Sequence, residues 1–317
     1  MSTTATDRRA PTKPQRRRMS RIRRSQIIAG WGFMAPFAIM FTFVFLVPII
    51  VAVRSSLFVM APSGGGLFGG GELVEQFVGL DTLAWVATNE AFWRGIGRVA
   101  IYALFQIPVM TGAALFLALL LDSLMVRRPG FFRLSYFLPY AIPGIIAAML
   151  WLYLYTPELS PFIGLMPEGF SFMSRNTILA SMANMTTWTY TGYNMLIFMA
   201  ALQAIPNELY EAARVDGAKE WQVALRIKIP IVKNALLLSV LMSIIGTVQL
   251  FNEPVVMETV NPWMGKDYTP MMMAYNTMMG TLSPGGNGHA SAISVMMAVV
   301  ASLMAAVYFM VQRKVAK

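Results

Sequence analysis

Two groups of polar residues are set among long apolar runs in this 317-residue chain. At about 100° per residue, Ser181, Asn184, Thr187, Thr191 and Asn194 gather on one side of a helix, with Trp188 among them. Farther on, Gln249, Asn252 and Glu253 stand at i, i+3 and i+4, which again puts hydrogen-bonding groups on one face. Amides and hydroxyls donate and accept alike, so such walls suit a neutral, hydroxyl-rich solute. An anion calls for Arg or Lys, which these runs lack. Trp188 adds an apolar platform for the face of a ring, whereas Tyr190 and Tyr193 project away from the stripe and rank below it. The other use of the same residues is to bond helix to helix, at about 0.6–2 kcal/mol per pair.

Groups for making and breaking bonds are scarce. His289 is the single histidine and cysteine is absent, so no His-based metal site, Ser-His-Asp arrangement or thiolate nucleophile can be assembled. No G-x-x-x-x-G-K-[ST] run occurs; Gly64-Gly65-Gly66 and Gly69-Gly70-Gly71 lack the lysine and hydroxyl of a phosphate cradle and read as loop. The chain is therefore expected to be no enzyme, to hold no catalytic residue, metal or cofactor, and to rely on other chains for any nucleotide.

The elements that must position the polar groups are read from hydropathy. Apolar residues make up 56% of the chain and charged residues 13%, against roughly 25% charged in soluble domains. A membrane helix needs about 20 mostly apolar residues. Ile27–Val53, Val99–Leu121, Phe132–Tyr155, Ile178–Leu202 and Ala290–Val311 satisfy that length, and Ala235–Phe251 is shorter but adequate. The runs are continuous rather than alternating, so they are helices and not barrel strands. An all-α, polytopic membrane protein with six transmembrane helices is predicted: a basic tail over 1–26, a membrane domain over 27–312 that includes a polar loop at 204–234, and a tail over 313–317. Most of the 25 Lys and Arg residues fall in the two tails, around 122–133 and in the 204–234 loop, which puts both termini in the cytoplasm. The arginines of the first tail face anionic headgroups, and the apolar run after them is too long for a cleaved leader. No aromatic interleaving suggests a nucleic-acid partner. Pro36, Pro48, Pro108, Pro139 and Pro143 interrupt the runs and are expected to kink them.

Within the 204–234 loop, Asn207 can cap a short helix that keeps Glu208 and Glu211 near its positive end and stops at Gly217. A second helical piece, Lys219–Ile229, is expected to be stopped by Pro230. About ten residues make a marginal helix in water, so this one must be held by packing, and the small face of Leu209, Ala212 and Ala213 admits a close neighbour.

Glu211-Ala212-Ala213, Asp216-Gly217-Ala218, Trp221, Ile227 and Pro230 resemble the EAA loop of binding-protein-dependent ABC importer permeases. The resemblance extends over nearly everything after Gly30, and is nearest to the six-helix carbohydrate permeases of the maltose and glycerol-phosphate type. Its other carriers are Pro36 through Pro48 to Ser56-Leu57-Phe58, Phe137 through Pro139 and Pro143-Gly144 to Trp151, and Ala290-Ser291-Ala292. Ala224 departs from the bulky aromatic common in the family. The resemblance implies a multi-pass subunit of the bacterial inner membrane that works by alternating access. Its partners are then a second, different permease chain, an external solute-binding protein that delivers a sugar, and two ATPases that carry ATP and Mg. Glu211, Ala212, Ala213, Asp216, Gly217 and Ala218 are implied to engage one ATPase, while Asn184, Thr187, Trp188, Thr191, Asn194, Gln249, Asn252 and Glu253 are expected to line the solute path. Import of another small polar solute stays open. An ATP-independent carrier fits less well, because neither intramembrane carboxylates nor an internal repeat are present.

Overall fold

The computed structural model describes residues 21–63, 72–123 and 126–315. By contacts the chain divides into one unit that ends at Val51 and a second that begins at Ala52. The described part of the first, from Arg21 on, is helical. α1 (Arg21–Phe41) passes through a wide π turn at Thr42–Leu46 into α2 (Val47–Ser55). Pro48 has no N–H for the ladder, and the wide turn falls just ahead of it. Phe37, Phe41 and Phe45 stack along one side at centroid spacings of 5.9 and 5.3 Å. No residue of the π turn or α2 is buried, so the helix is apolar and uncovered, the surface a lipid solvent favours.

The second unit opens with a hairpin of β1 (Phe58–Ser63) and β2 (Glu72–Phe77), antiparallel in the register Phe58 to Phe77 through Ser63 to Glu72. The glycine runs read as loop, Gly64–Gly66 and Gly69–Gly71, lie outside the described residues. The hairpin is a small addition to a chain that is otherwise mostly helical. α3 (Asp81–Thr88) leads to α4 (Glu90–Asp122), which Asn89 caps by accepting from the N–H groups of Ala91 and Phe92 at 2.9 and 3.2 Å. Next come α5 (Pro129–Phe137), a 3-10 turn at Leu138–Ala141 and α6 (Gly144–Tyr155), with a bend of 97° between the α5 side and α6. The single run expected over Phe132–Tyr155 is thus two pieces. Pro143 removes a donor and forces Ile142 into extended backbone, at φ −80° and ψ 129°.

α7 (Ile178–Gln203) is followed by the short α8 (Asn207–Val215), α9 (Glu220–Val223), a second π turn (Ala224–Lys228) and α10 (Ile229–Val248). Contrary to expectation, Pro230 stops nothing: the helical path is unbroken from Glu220 to Val248, with the wide turn lying just where the proline cannot join the ladder. The chain ends in α11 (Asn252–Glu258), α12 (Pro270–Met278) and α13 (Asn287–Val315).

Among the described residues, four helical stretches are long and apolar enough to cross a membrane, Arg24–Ser55, Glu90–Asp122, Glu220–Glu258 and Asn287–Lys314, or five if the bent α5/α6 pair is one span. α7 has the length, 26 residues, but its polar side chains dilute its hydropathy. It packs along α4, and α10 touches α4, α7 and α13. Ala114 and Ala118 of α4 are fully buried against Met195, Phe198 and Leu202 of α7, small residues that bring the two backbones together. A second core joins Tyr102, Tyr155, Met182 and Met257; a third joins Val86, Phe92, Ile293 and Met297.

Candidate functional site

Between α4, α7, α10 and the start of α11 lies a cavity of about 420 Å³. Its α7 wall is built from Thr186, Tyr190, Tyr193, Asn194 and Ile197, spaced so that they fall on one face. Its α4 wall presents Tyr102, Gln106 and Met110, and α10 adds Ser239 and Ser243. A chain of hydrogen bonds crosses it. The Tyr102 hydroxyl donates to Thr186 Oγ1 at 2.6 Å, and Thr186 in turn donates to Glu253 Oε1 at 2.7 Å. The Ser239 hydroxyl donates to the Asn194 side-chain oxygen, whose amide nitrogen donates to the Tyr190 carbonyl at 3.0 Å. Gln106 is only 2% exposed, and its buried side-chain oxygen has no partner. Among the described residues, Glu253 is the one charged residue of the lining, and no Lys or Arg joins it.

The expected path residues divide. Asn194, Gln249, Asn252 and Glu253 do line the cavity. Asn184, Thr187, Trp188 and Thr191 do not: Asn184 donates to the Tyr155 hydroxyl at 2.8 Å, Trp188 stands edge-on to Trp151 at 5.8 Å, and Thr191 donates to the Thr187 carbonyl at 2.5 Å. These four belong to an arc of α7 turned away from the cavity, with Asn184 and Trp188 reaching toward α6. Grouping by polarity alone centred the stripe on an arc other than the one that lines this cavity. Tyr190 and Tyr193, ranked low on that basis, sit in the wall together with Thr186, which the sequence reading did not single out. The missed signal is the spacing Thr186, Tyr190, Tyr193, Ile197, one helical face that mixes hydroxyls, rings and an aliphatic side chain.

Gln249, Asn252 and Glu253 meet in the wall, but not as one helical face. α10 ends at Val248, Phe251 turns to φ −137°, and α11 restarts at Asn252. Pro254 has no N–H to give the Leu250 carbonyl, and the Thr269 hydroxyl donates there instead at 3.0 Å. Asn252 packs on Gly144 so closely that a β-carbon on the glycine would lie 2.6 Å from its amide nitrogen.

A second feature stands apart. α8 begins at Asn207 behind Pro206 without the side-chain cap expected of Asn207. It ends as a Schellman motif, with the Gly217 N–H on Arg214 O at 3.0 Å, the Ala218 N–H on Ala213 O at 2.9 Å, and Gly217 left-handed at φ 74°. Ala213 is buried against the bundle, while Glu211, Ala212, Asp216 and Gly217 are exposed and Ala218 is half-buried. Leu209, Val215 and Trp221, exposed at 45%, 88% and 58%, extend this open face with apolar area.

Long apolar helices beside a polar cavity suit a membrane transport subunit. Residues 82–317 match the family described as binding-protein-dependent transport system inner membrane component, and the chain belongs to that family. The lactose transport system permease protein LacF of Rhizobium radiobacter is 30% identical over 244 residues, 74% of this chain and 77% of that protein. The sulfoquinovosyl glycerol transport system permease protein SmoG of Agrobacterium fabrum is 28% identical over 288 residues, 88% of this chain and 89% of that protein. Among solved structures, the fold matches a chain of a bacterial ABC transporter that imports the acidic polysaccharide alginate, at a TM-score of 0.67 and 20% identity, covering 93% of this chain and 98% of that one.

Proposed function

We propose that this chain is one of two permease subunits of an ATP-driven sugar importer in the bacterial inner membrane, and that its cavity passes a neutral, hydroxylated solute. The observation that carries the substrate class is the lining itself. Tyr102, Thr186, Glu253 and Asn194 offer donors and acceptors, Tyr190, Tyr193 and Phe251 offer ring faces, and among the described residues no Lys or Arg lines the cavity for an acid sugar or a phosphate. Gln249 and Asn252 extend the same wall, and the lactose in the name of LacF is a solute of this class.

In this reading α7 joins the other spans to complete six, both termini face the cytoplasm, and α8 lies on the cytoplasmic side with Glu211, Ala212, Ala213, Asp216, Gly217 and Ala218 as the docking segment for an ATPase. ATP and Mg are bound by two partner ATPase chains, and an external binding protein delivers the sugar. Closure of the ATPases moves α8 and, through it, the spans around the cavity, so that access alternates without chemistry in this chain. The test is uptake by vesicles that hold the complete complex, supplied with binding protein and either labelled lactose or a labelled uronic-acid disaccharide. Uptake that needs ATP and favours the neutral sugar is expected. Concentrative uptake by this chain alone, or preference for the uronate, overturns the proposal.

A further inference from the structure

α8 is joined to α10 through Asp216-Gly217-Ala218-Lys219, a turn in which Gly217 is left-handed at φ 74° and a β-carbon on it would touch nothing within 4 Å. That turn is held by the two hydrogen bonds of its Schellman motif, with open space beside Gly217. A separate link bypasses it. Lys228, in the π turn ahead of α10, is 5% exposed, while Leu225 and Arg226 of the same turn are exposed. Its Nζ lies 2.7 Å from Asp122 Oδ2, the last residue of α4, and 5.1 Å from the ring centre of Tyr210 in the middle of α8. The three surround a small cavity of about 170 Å³ that Arg214 and Glu220 also border.

Asp122 sits at the negative end of a 33-residue helix, where an anion is disfavoured, and the Lys228 ammonium offsets both the carboxylate and the helix end. With side chains 7% and 20% exposed, this pair is screened little by water, unlike a surface pair. Tyr210 packs against the buried cluster that includes Leu202, Ile205 and Val232, and Lys228 lies over its ring. One cation therefore ties α8, the end of α4 and the base of α10 together.

We propose that Lys228 is a positioning residue for energy coupling: gripped by Asp122 and seated on Tyr210, it makes α4 and α10 follow α8 as one body instead of letting the Gly217 turn absorb the motion. This rests on the reading of α8 as the segment that an ATPase moves. The test measures sugar uptake per ATP hydrolysed in the reconstituted complete complex, together with co-purification of the ATPase chains. Lys228→Met is expected to retain the ATPases and to lower the ratio about tenfold, with recovery in Lys228→Arg and partial recovery in the exchanged pair Asp122→Lys/Lys228→Asp. A wild-type ratio in Lys228→Met overturns the proposal, and so does loss of the ATPase chains in step with uptake, since that marks a purely structural role. If Lys228→Met does not insert, Tyr210→Leu on the half-open α8 decides: the same drop supports the link and an unchanged ratio refutes it. Failure of the underlying reading looks different, because the unmodified complex would then take up sugar without any ATPase.

Discussion

The Thr186 hydroxyl donates to the Glu253 carboxylate at 2.7 Å while accepting from Tyr102 at 2.6 Å, so a single threonine links α4, α7 and α11 across the cavity. Glu253→Leu leaves the Thr186 hydroxyl without its acceptor, at about 1–3 kcal/mol, and is expected to lower uptake about tenfold or more. Glu253→Gln keeps an acceptor of the same shape and is expected to stay within a few-fold of wild type. Uptake kinetics of the two variants side by side check this; equal losses would mean that the charge and not the hydrogen bond is what matters.

Residues inside and outside the cavity should separate by assay. Gln106→Leu, Asn194→Leu and Asn252→Leu each remove a polar group from the lining and are expected to raise KM for the sugar about tenfold while the complex stays assembled. Asn184→Leu breaks only the bond to Tyr155, so its effect is expected in thermal stability with KM unchanged. If all four alter assembly and none alters KM, the polar residues hold helices together and do not meet the solute.

Gly192 lies where α7 meets α5, and a β-carbon there would overlap the Tyr136 carbonyl, a backbone atom that cannot swing aside. Gly192→Ala is expected to cost about 1–3 kcal/mol or more, visible as a lower melting temperature in detergent. Gly112, with open space around its β-carbon position, is the control: Gly112→Ala should be neutral or slightly stabilising.

At the end of α8, Gly217→Pro demands φ near −65° where the chain has 74° and deletes the N–H that Arg214 O accepts. Glu211→Lys reverses a charge on the exposed face. Both variants are expected to insert into the membrane normally and to lose uptake while ATP hydrolysis continues. Normal uptake in both would remove α8 from the coupling path.

The Tyr210 phenol is pushed above its ordinary 10.0, first by burial and then by the Asp122 carboxylate. Because the folded value exceeds the unfolded one, its contribution to stability is complete below pH 10.0 and is lost as pH rises through the folded value. Asp122→Asn is expected to bring the ionisation down toward, but not to, 10.0. NMR titration of ring-labelled tyrosine, with Tyr210→Phe to assign the signal, reads the shift.

Membrane residence, helicity and the α8 segment were legible from composition, from run length and from Glu211-Ala212-Ala213 and Asp216-Gly217-Ala218, because these depend on local pattern. Gly217 as a helix stop follows from glycine's freedom at positive φ. The prolines were legible as trouble spots, but not in their outcome. Pro143 produces the bend between α5 and α6, whereas Pro230 is absorbed by a π turn, and the difference lies in whether neighbouring turns can widen. The gathering of Gln249, Asn252 and Glu253 was legible although the helix assumed for them is broken at Gln249–Phe251; there Thr269, from a distant loop, supplies the donor that Pro254 lacks.

What the chain determined by itself is what each residue can do: polar groups set among apolar runs, and a short helix that needs support. Only the tertiary structure decided which arc of α7 faces empty space, so that Thr186, Tyr190 and Tyr193 line the cavity while Asn184, Thr187, Trp188 and Thr191 are turned elsewhere, because a helix carrying polar groups on several sides cannot declare which side its neighbours will cover. The joining of Lys228 to Asp122 across 106 residues has the same origin, since the pairing of two charges far apart in sequence is set by how α4 and α10 pack.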